Sequence, residues 1–288
     1  MPNLRDVRRR IRSVKNIQKT TRAMKFVSAS KLKRAQDRII AARPYANRML
    51  AVLNSVITRV EDKEHPLLKR RGSDRILVVV ITADKGLCGA FNTNIVKAAS
   101  LFLTQHSNSE LQLTAVGRKG YDYFKRRPYK IREHYINVMA RIDYQEARRV
   151  ARSVIEQYEA ETLDEVHLVY NEFKSVIQQR IVVEKLLPIG EIHDIEEKTG
   201  VSLDYIYEQE PQVIFSHLVP RHVEVQIFRA LLESAASEHG ARMAAMDAAT
   251  SNAKDMIERL TLNMNRIRQA TITKEIIEIV SGANALAE

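Results

Sequence analysis

A chain of 288 residues, 45% of them hydrophobic, is long enough for one large domain or two ordinary ones with real cores. Its formal net charge of +11 points to an acidic partner: nucleic acid, anionic lipid or an acidic protein surface. A lone cysteine, Cys88, excludes an intrachain disulfide and fits a reducing compartment, and the longest apolar run, Ile76–Ile81, is the size of a strand and not of a membrane span.

The first segment follows a seven-residue rule. Leu4, Ile11, Gln18, Lys25, Leu32, Ile39, Ala46, Leu53 and Val60 recur at intervals of seven, and Val7, Val14, Thr21, Ser28, Ala35, Ala42, Met49 and Val56 stand three residues after the first eight. This a/d pattern predicts a coiled-coil helix over residues 4–60, about 85 Å long at the usual rise per residue. Pro44 predicts a kink or one lost hydrogen bond. The Arg-rich start resembles a transit peptide, but the pattern outruns any cleavable signal and no small-residue cleavage site interrupts it, so it is read as part of the mature helix.

Residues 1–50 hold 15 Lys or Arg and two acids, Asp6 and Asp37, a net of +13, which leaves −2 for the rest and assigns the basic character to this segment alone. Arg5, Arg8, Arg12, Lys15, Lys19 and Arg22 fall on alternating b and e positions and form one stripe beside the seam. A solvated face usually mixes signs for i,i+4 pairing, so the stripe reads as facing an acidic partner. Between Arg12 and Gln36 the seam itself is polar, at Gln18, Thr21, Lys25 and Ser28, while Ile17, Met24 and Val27 lie off it. The expectation is that the apolar face rotates here and meets two neighbours in turn.

The middle alternates strands and helices: strand Arg75–Ala83, turn Asp84–Gly89 (DKGLCG), helix Ala90–Thr104, strand Leu111–Val116, helix Gly117–Arg127, strand Ile131–Ile136, helix Tyr144–Glu161, and strands Glu165–Asn171 and Val176–Lys185, with Tyr205–Glu208 a last short strand or loop. The alternation implies an α/β domain with a largely parallel sheet. From Arg221 onward there is no proline, and apolar or small residues from Phe228 to Ala270 follow the three-four spacing, which predicts a second long helix pairing antiparallel with the first. Its end, from Ile267 to Leu286, is so apolar that something should enclose it.

Catalytic patterns are missing. DKGLCGAFN sits between strand and helix, where phosphate loops occur, but it is neither a Walker A nor a G-x-G-x-x-G sequence, and GRKG at Gly117–Gly120 is weaker still. There is no G-x-S-x-G elbow. The histidines are scattered, without a metal-ligand pattern. Cys88 reads as a small buried hydrophobe. A binding, structural or mechanical role is expected, without cofactor or metal.

Three blocks carry a resemblance. LRDVRRRIRSVKNIQKTTRAMKFVSASKLKRAQ at the start, TADKGLCGAFN in the middle and RQATITKEIIEIVSGANA at the end are together similar to the gamma subunits of bacterial F-type ATP synthases, over essentially the whole chain. The last block contains the family's I-T-x-E-x-x-E-x-x-x-G-A arrangement at Ile272, Thr273, Glu275, Glu278, Gly282 and Ala283. The resemblance implies a rotor central stalk: shaft helices over 1–62 and 212–288, and a Rossmann-like α/β domain over 74–210. The implied partners are the alpha and beta subunits of a catalytic hexamer, the epsilon subunit and a ring of c subunits. It implies a peripheral place on the cytoplasmic side of a bacterial membrane, a part in proton or other ion transport, and no bond chemistry of the chain's own.

It also implies residue roles. Met24 would lie near an acidic lever loop of beta, Arg268 and Gln269 would meet a catching loop, and Thr273, Glu275 and Arg242 would share in coupling. Tyr205, Tyr207 and Glu208 would contact the c ring and epsilon. The relatives of chloroplasts carry a cysteine-containing insertion that this chain lacks, so thiol regulation is not expected. The rival reading is a coiled-coil nucleic-acid-binding or chromosome-structuring protein with an α/β hinge. It explains the charge and the helices but not the apolar tip or the three blocks.

Overall fold

The computed structural model describes residues 4–57, 65–140, 142–176, 178–189 and 210–287. Helix α1 spans Leu4–Ile57 and helix α5 spans Pro211–Ala287. Between them in sequence lie β1 (Arg75–Ile81), α2 (Phe91–Gln105), β2 (Glu110–Val116), α3 (Arg118–Phe124), β3 (Lys130–Tyr135), a 3-10 turn (Val138–Ala140), α4 (Tyr144–Glu159), β4 (Glu165–Phe173) and β5 (Gln179–Leu187). The strands form one sheet in the order β3-β2-β1-β4-β5. All pairings are parallel except β4 with β5. The mixed α/β class with long terminal helices is therefore the one expected from the sequence, with the ends of the sheet-domain elements displaced by at most three residues, whereas α5 begins ten residues before the expected Arg221. The assigned helices run through both Pro44 and Pro220. Pro211 opens α5, a position where the missing N–H is no loss.

The described residues divide into two compact units: Ala29–Arg242, and Met1–Ser28 together with Met243–Glu288. In the larger unit β1 is the centre. Every residue from Ile76 to Ile81 is fully buried, as a parallel strand covered on both faces requires. Ile76, Val78 and Val80 point to one face, where Phe91, Ile95, Val96, Ala99 and Leu103 of α2 pack on them. Those α2 positions are spaced four, one, three and four residues apart, one face of a helix. Helix α4 begins where the Asp143 side chain accepts the Glu146 N–H, a cap that satisfies one of the helix's orphan donors.

The stretch of α5 from Ala230 to Glu238 is buried on every side, and it carries polar groups that the sheet satisfies. Ser234 Oγ accepts the Asn171 N–H, Ser237 Oγ donates to the Asn171 carbonyl, and Glu233 Oε2 accepts the Phe173 N–H at 2.9 Å. These bonds fall at the end of β4, beyond its last pair with β1 at Val169, while β5 continues to pair on the other side.

Two histidines of α5 make the fold acid-sensitive. Burial holds His222 and His239 down to about 4, helped by Arg229 for the first and by Arg242 and Lys31 for the second. The unfolded chain takes up these protons near pH 6.5 and the native chain only near pH 4, so stability falls as pH drops between those values. We expect a loss of roughly 2 kcal/mol over that window for the pair, allowing for partial solvent screening. Urea unfolding of the wild type and of a His222→Gln, His239→Gln variant at several pH values checks it. The same slope in both would show that other groups carry the effect.

Candidate functional site

In the smaller unit α1 and α5 are antiparallel neighbours. Thr21 and Thr250 share a hydroxyl hydrogen bond of 2.8 Å, and Lys25 Nζ meets Asp247 Oδ1 at 2.6 Å. As α1 advances by four residues its partner retreats by three. Two of the polar seam positions, Thr21 and Lys25, are thus matched across the pair by directional bonds, which fixes register.

The sequence reading expected the apolar face to rotate onto Ile17, Met24 and Val27. The structure corrects this. Gln18, Thr21, Lys25 and Ser28 keep the seam, all buried or half-buried, while Ile17 and Val27 are 52% and 57% exposed. The rotation is unnecessary because Thr250 and Asp247 supply the missing partners. Met24 is half-buried at the edge of the seam.

Arg5, Arg8, Arg12, Lys15, Lys19 and Arg22 are all exposed on α1. Among the described residues, Arg8, Arg12, Lys15, Lys19 and Arg22 have no side-chain partner. A run of cations without internal acids repels itself and is relieved by an external anion.

The antiparallel register brings the start of α1 level with about Ile267 of α5. Beyond that point α5 has no neighbour among the described residues: Ile267 is half-buried, and every side chain from Arg268 to Ser281 is exposed. Arg268, Gln269, Thr273 and Glu275 all stand on this overhang. So do Ile272, Ile276, Ile277, Ile279 and Val280, between 48% and 71% exposed. Tyr205, Tyr207 and Glu208 lie outside the described residues.

In the larger unit the turn after β1 is tied down from several sides. Asp84 Oδ1 accepts the N–H groups of Arg118 and Asn137. Asn92 accepts the Ala83 N–H with Oδ1 and reaches Cys88 Sγ with Nδ2. Cys88 is 2% exposed, and burial pushes its thiol up, against the pull of Arg242. In doubly wound sheets ligands enter at this carboxyl edge, beside the point where strand order reverses. Here the guanidinium of Arg242 lies against the turn, paired with Glu238.

Sequence reasoning missed two features. It confined the basic character to the first 50 residues, yet residues 118–132 hold seven Lys or Arg and one acid, Asp122. Arg118, Lys119, Lys125, Arg126, Arg127, Lys130 and Arg132 are all exposed, and Arg127 stacks on Tyr123 at 3.3 Å. Averaging the charge over the whole remainder concealed them, and a short sliding window finds them. It also missed that the Glu238 and Arg242 pair, four residues apart, is buried.

Among the described residues no helix is long and apolar enough to cross a membrane, and no three His, Cys, Asp or Glu side chains are grouped to hold a metal ion. The described residues thus combine a pair of long helices, a mostly parallel sheet, a cationic face on α1 and an exposed apolar stretch near the end of α5.

The ATP synthase family model matches residues 3–286. The chain is 52% identical over 289 residues to the ATP synthase gamma chain of Solibacter usitatus and 48% identical over 286 residues to that of Pelotomaculum thermopropionicum, with 99% or more of each chain covered. It belongs to the ATP synthase gamma chain family. The central stalk of the Tetrahymena thermophila mitochondrial ATP synthase matches at a TM-score of 0.62 and 29% identity, over 80% of this chain and 99% of that one. A chain of the Euglena gracilis mitochondrial ATP synthase in rotational state 3 shares the fold, at a TM-score of 0.69 and 21% identity, over 98% and 94% of the two chains. The nucleic-acid-binding alternative finds no support among these relatives.

Proposed function

We propose that the chain is the rotor subunit of a bacterial ATP synthase central stalk, turning with an ion-driven c ring and biasing the alpha and beta subunits of the catalytic hexamer through their conformations in turn. In this reading residues 1–62 and 212–288 act as the shaft, residues 74–210 as the globular part near epsilon and the c ring, and the whole is peripheral to the membrane. The subunit is non-catalytic: it supplies contacts that differ from one partner state to the next, and such differences shift populations.

The observation that carries this reading is the overhang of α5. A helix end of isoleucines and valine, exposed and continuous with a paired seam, needs a surrounding apolar sleeve. In this reading Arg268, Gln269, Thr273 and Glu275 at its base bond passing loops of beta. The stripe on α1 would meet acidic levers, and attraction through water at that distance is weak enough to release on each turn. Capture of the tagged chain from its own cells should bring down the alpha, beta and epsilon subunits. Salt-sensitive recovery of duplex DNA in their place would favour the nucleic-acid alternative.

Met24→Lys probes the coupling. Lys25 is already engaged by Asp247, so in this reading the new ammonium adds a cation facing the acids of beta. We expect the complex to assemble while ions pumped per ATP hydrolysed in reconstituted membranes fall several-fold. An unchanged ratio would remove Met24 from the coupling surface.

A further inference from the structure

The resemblance gives Arg242 a part in contacting beta. The structure places its side chain at 11% exposure, next to Glu238 at 7%. One amino group of the guanidinium donates to Glu238 Oε1 at 2.6 Å. The other donates to the carbonyls of Gly86 at 3.1 Å and Lys85 at 3.3 Å, and Nε also reaches the Gly86 carbonyl at 3.3 Å. A single planar fork therefore joins α5 to two successive carbonyls of the 84–89 turn. The next residue, Leu87, has φ of 61° and a side chain 65% exposed. Neither is a state the turn would choose unaided: the left-handed backbone is disfavoured for leucine, and its side chain gains nothing from burial. Asp84 and Asn92 fix the flanks of the turn. Among the described residues, only Arg242 holds the Lys85 and Gly86 carbonyls from another element.

We infer that the buried Glu238–Arg242 pair is a latch that keeps the 84–89 turn closed over Cys88 and sets the form of its exposed tip, Lys85 to Leu87. Arg242 is thus a positioning residue that acts through the turn and does not itself touch a partner. Glu238 orients the fork: burial, with a smaller contribution from Asp84, raises its carboxyl above the ordinary range against the opposing pull of Arg242 and Lys31. Lysine cannot replace Arg242, because one ammonium on a flexible stem does not bridge a carboxylate and two carbonyls in a fixed plane.

Cys88, the only thiol, reports the latch directly. In the full-length chain, Arg242→Lys and Arg242→Gln should raise the rate of maleimide labelling about tenfold or more through local opening of the turn. Glu238→Gln, which keeps an acceptor for the fork, should raise it less. Amide exchange in β1 and β4 should stay at the wild-type rate. Unchanged labelling in folded Arg242→Lys overturns the latch, and so does faster labelling matched by equally faster exchange in β1 and β4, which would mean global opening. Should Arg242→Gln not fold, Arg242→Lys decides.

The functional half rests on the rotor reading and has its own readout. In reconstituted ATP synthase, Arg242→Lys should lower the ions pumped per ATP, with hydrolysis itself retained. Faster labelling with an unaltered ratio would keep the latch and remove it from coupling. The labelling result stands whether or not the rotor reading does.

Discussion

Gly117→Ala should cost the fold about 3 kcal/mol or more, enough to empty the native state of a marginally stable domain. Gly117 ends β2 and starts α3 with φ of 95° and ψ of 140°, a region that side chains rarely enter. Its N–H donates to the Tyr135 carbonyl at 2.8 Å, so the backbone is not free to rotate away. A Cβ placed there would lie 2.0 Å from the Thr82 carbonyl oxygen. That oxygen belongs to the end of the central strand and cannot retreat without breaking the core.

Gly120 provides the control. Its Cβ would meet only the Thr82 side chain, at 2.9 Å and 3.0 Å, and side chains yield more readily than backbone. Gly120→Ala should therefore cost less, about 1–2 kcal/mol. Urea unfolding of the two variants decides the matter. Equal stabilities for Gly117→Ala and the wild type would show that the turn after β2 relaxes without loss.

Removing residues 271–288 should leave the isolated chain's melting temperature unchanged and yet weaken the assembled complex by on the order of 5 kcal/mol. The first half follows from exposure: every described side chain of the overhang, through Ser281, is exposed. The second half follows from the sleeve. Each isoleucine taken fully out of water contributes roughly 2 kcal/mol, and part of that is lost to ordering on association. Thermal melts of chain and complex, run in parallel, separate the two. A complex that melts at the wild-type temperature after truncation would rule out enclosure of the tip, and a destabilised isolated chain would mean that the overhang folds back on its own unit.

Much of this fold was legible in the sequence because its periods are unambiguous. The heptad seam from Leu4 to Val56 names side chains that are buried or half-buried wherever they are described. The run Ile76–Ile81 could only be a strand covered on both faces, and it is the centre of the sheet. Periodicity reports one chain facing one neighbour, and it fails where the neighbour is polar. Gln18, Thr21, Lys25 and Ser28 looked like a seam giving way, because nothing local tells that Thr250 and Asp247 stand opposite. Nothing local showed that Arg242 is buried, for the same reason. Its burial depends on Glu238 one turn earlier and on carbonyls more than 150 residues away in sequence.

The sequence by itself thus determined the two long helices, the alternating sheet and the family, since these rest on local repeats and on motif blocks that do not change with packing. The antiparallel register, the unpartnered length of α5 and the clamping of the 84–89 turn were decided only by tertiary structure. Each depends on which polar groups find one another across the fold, and a hydrogen bond between distant residues leaves no period behind it.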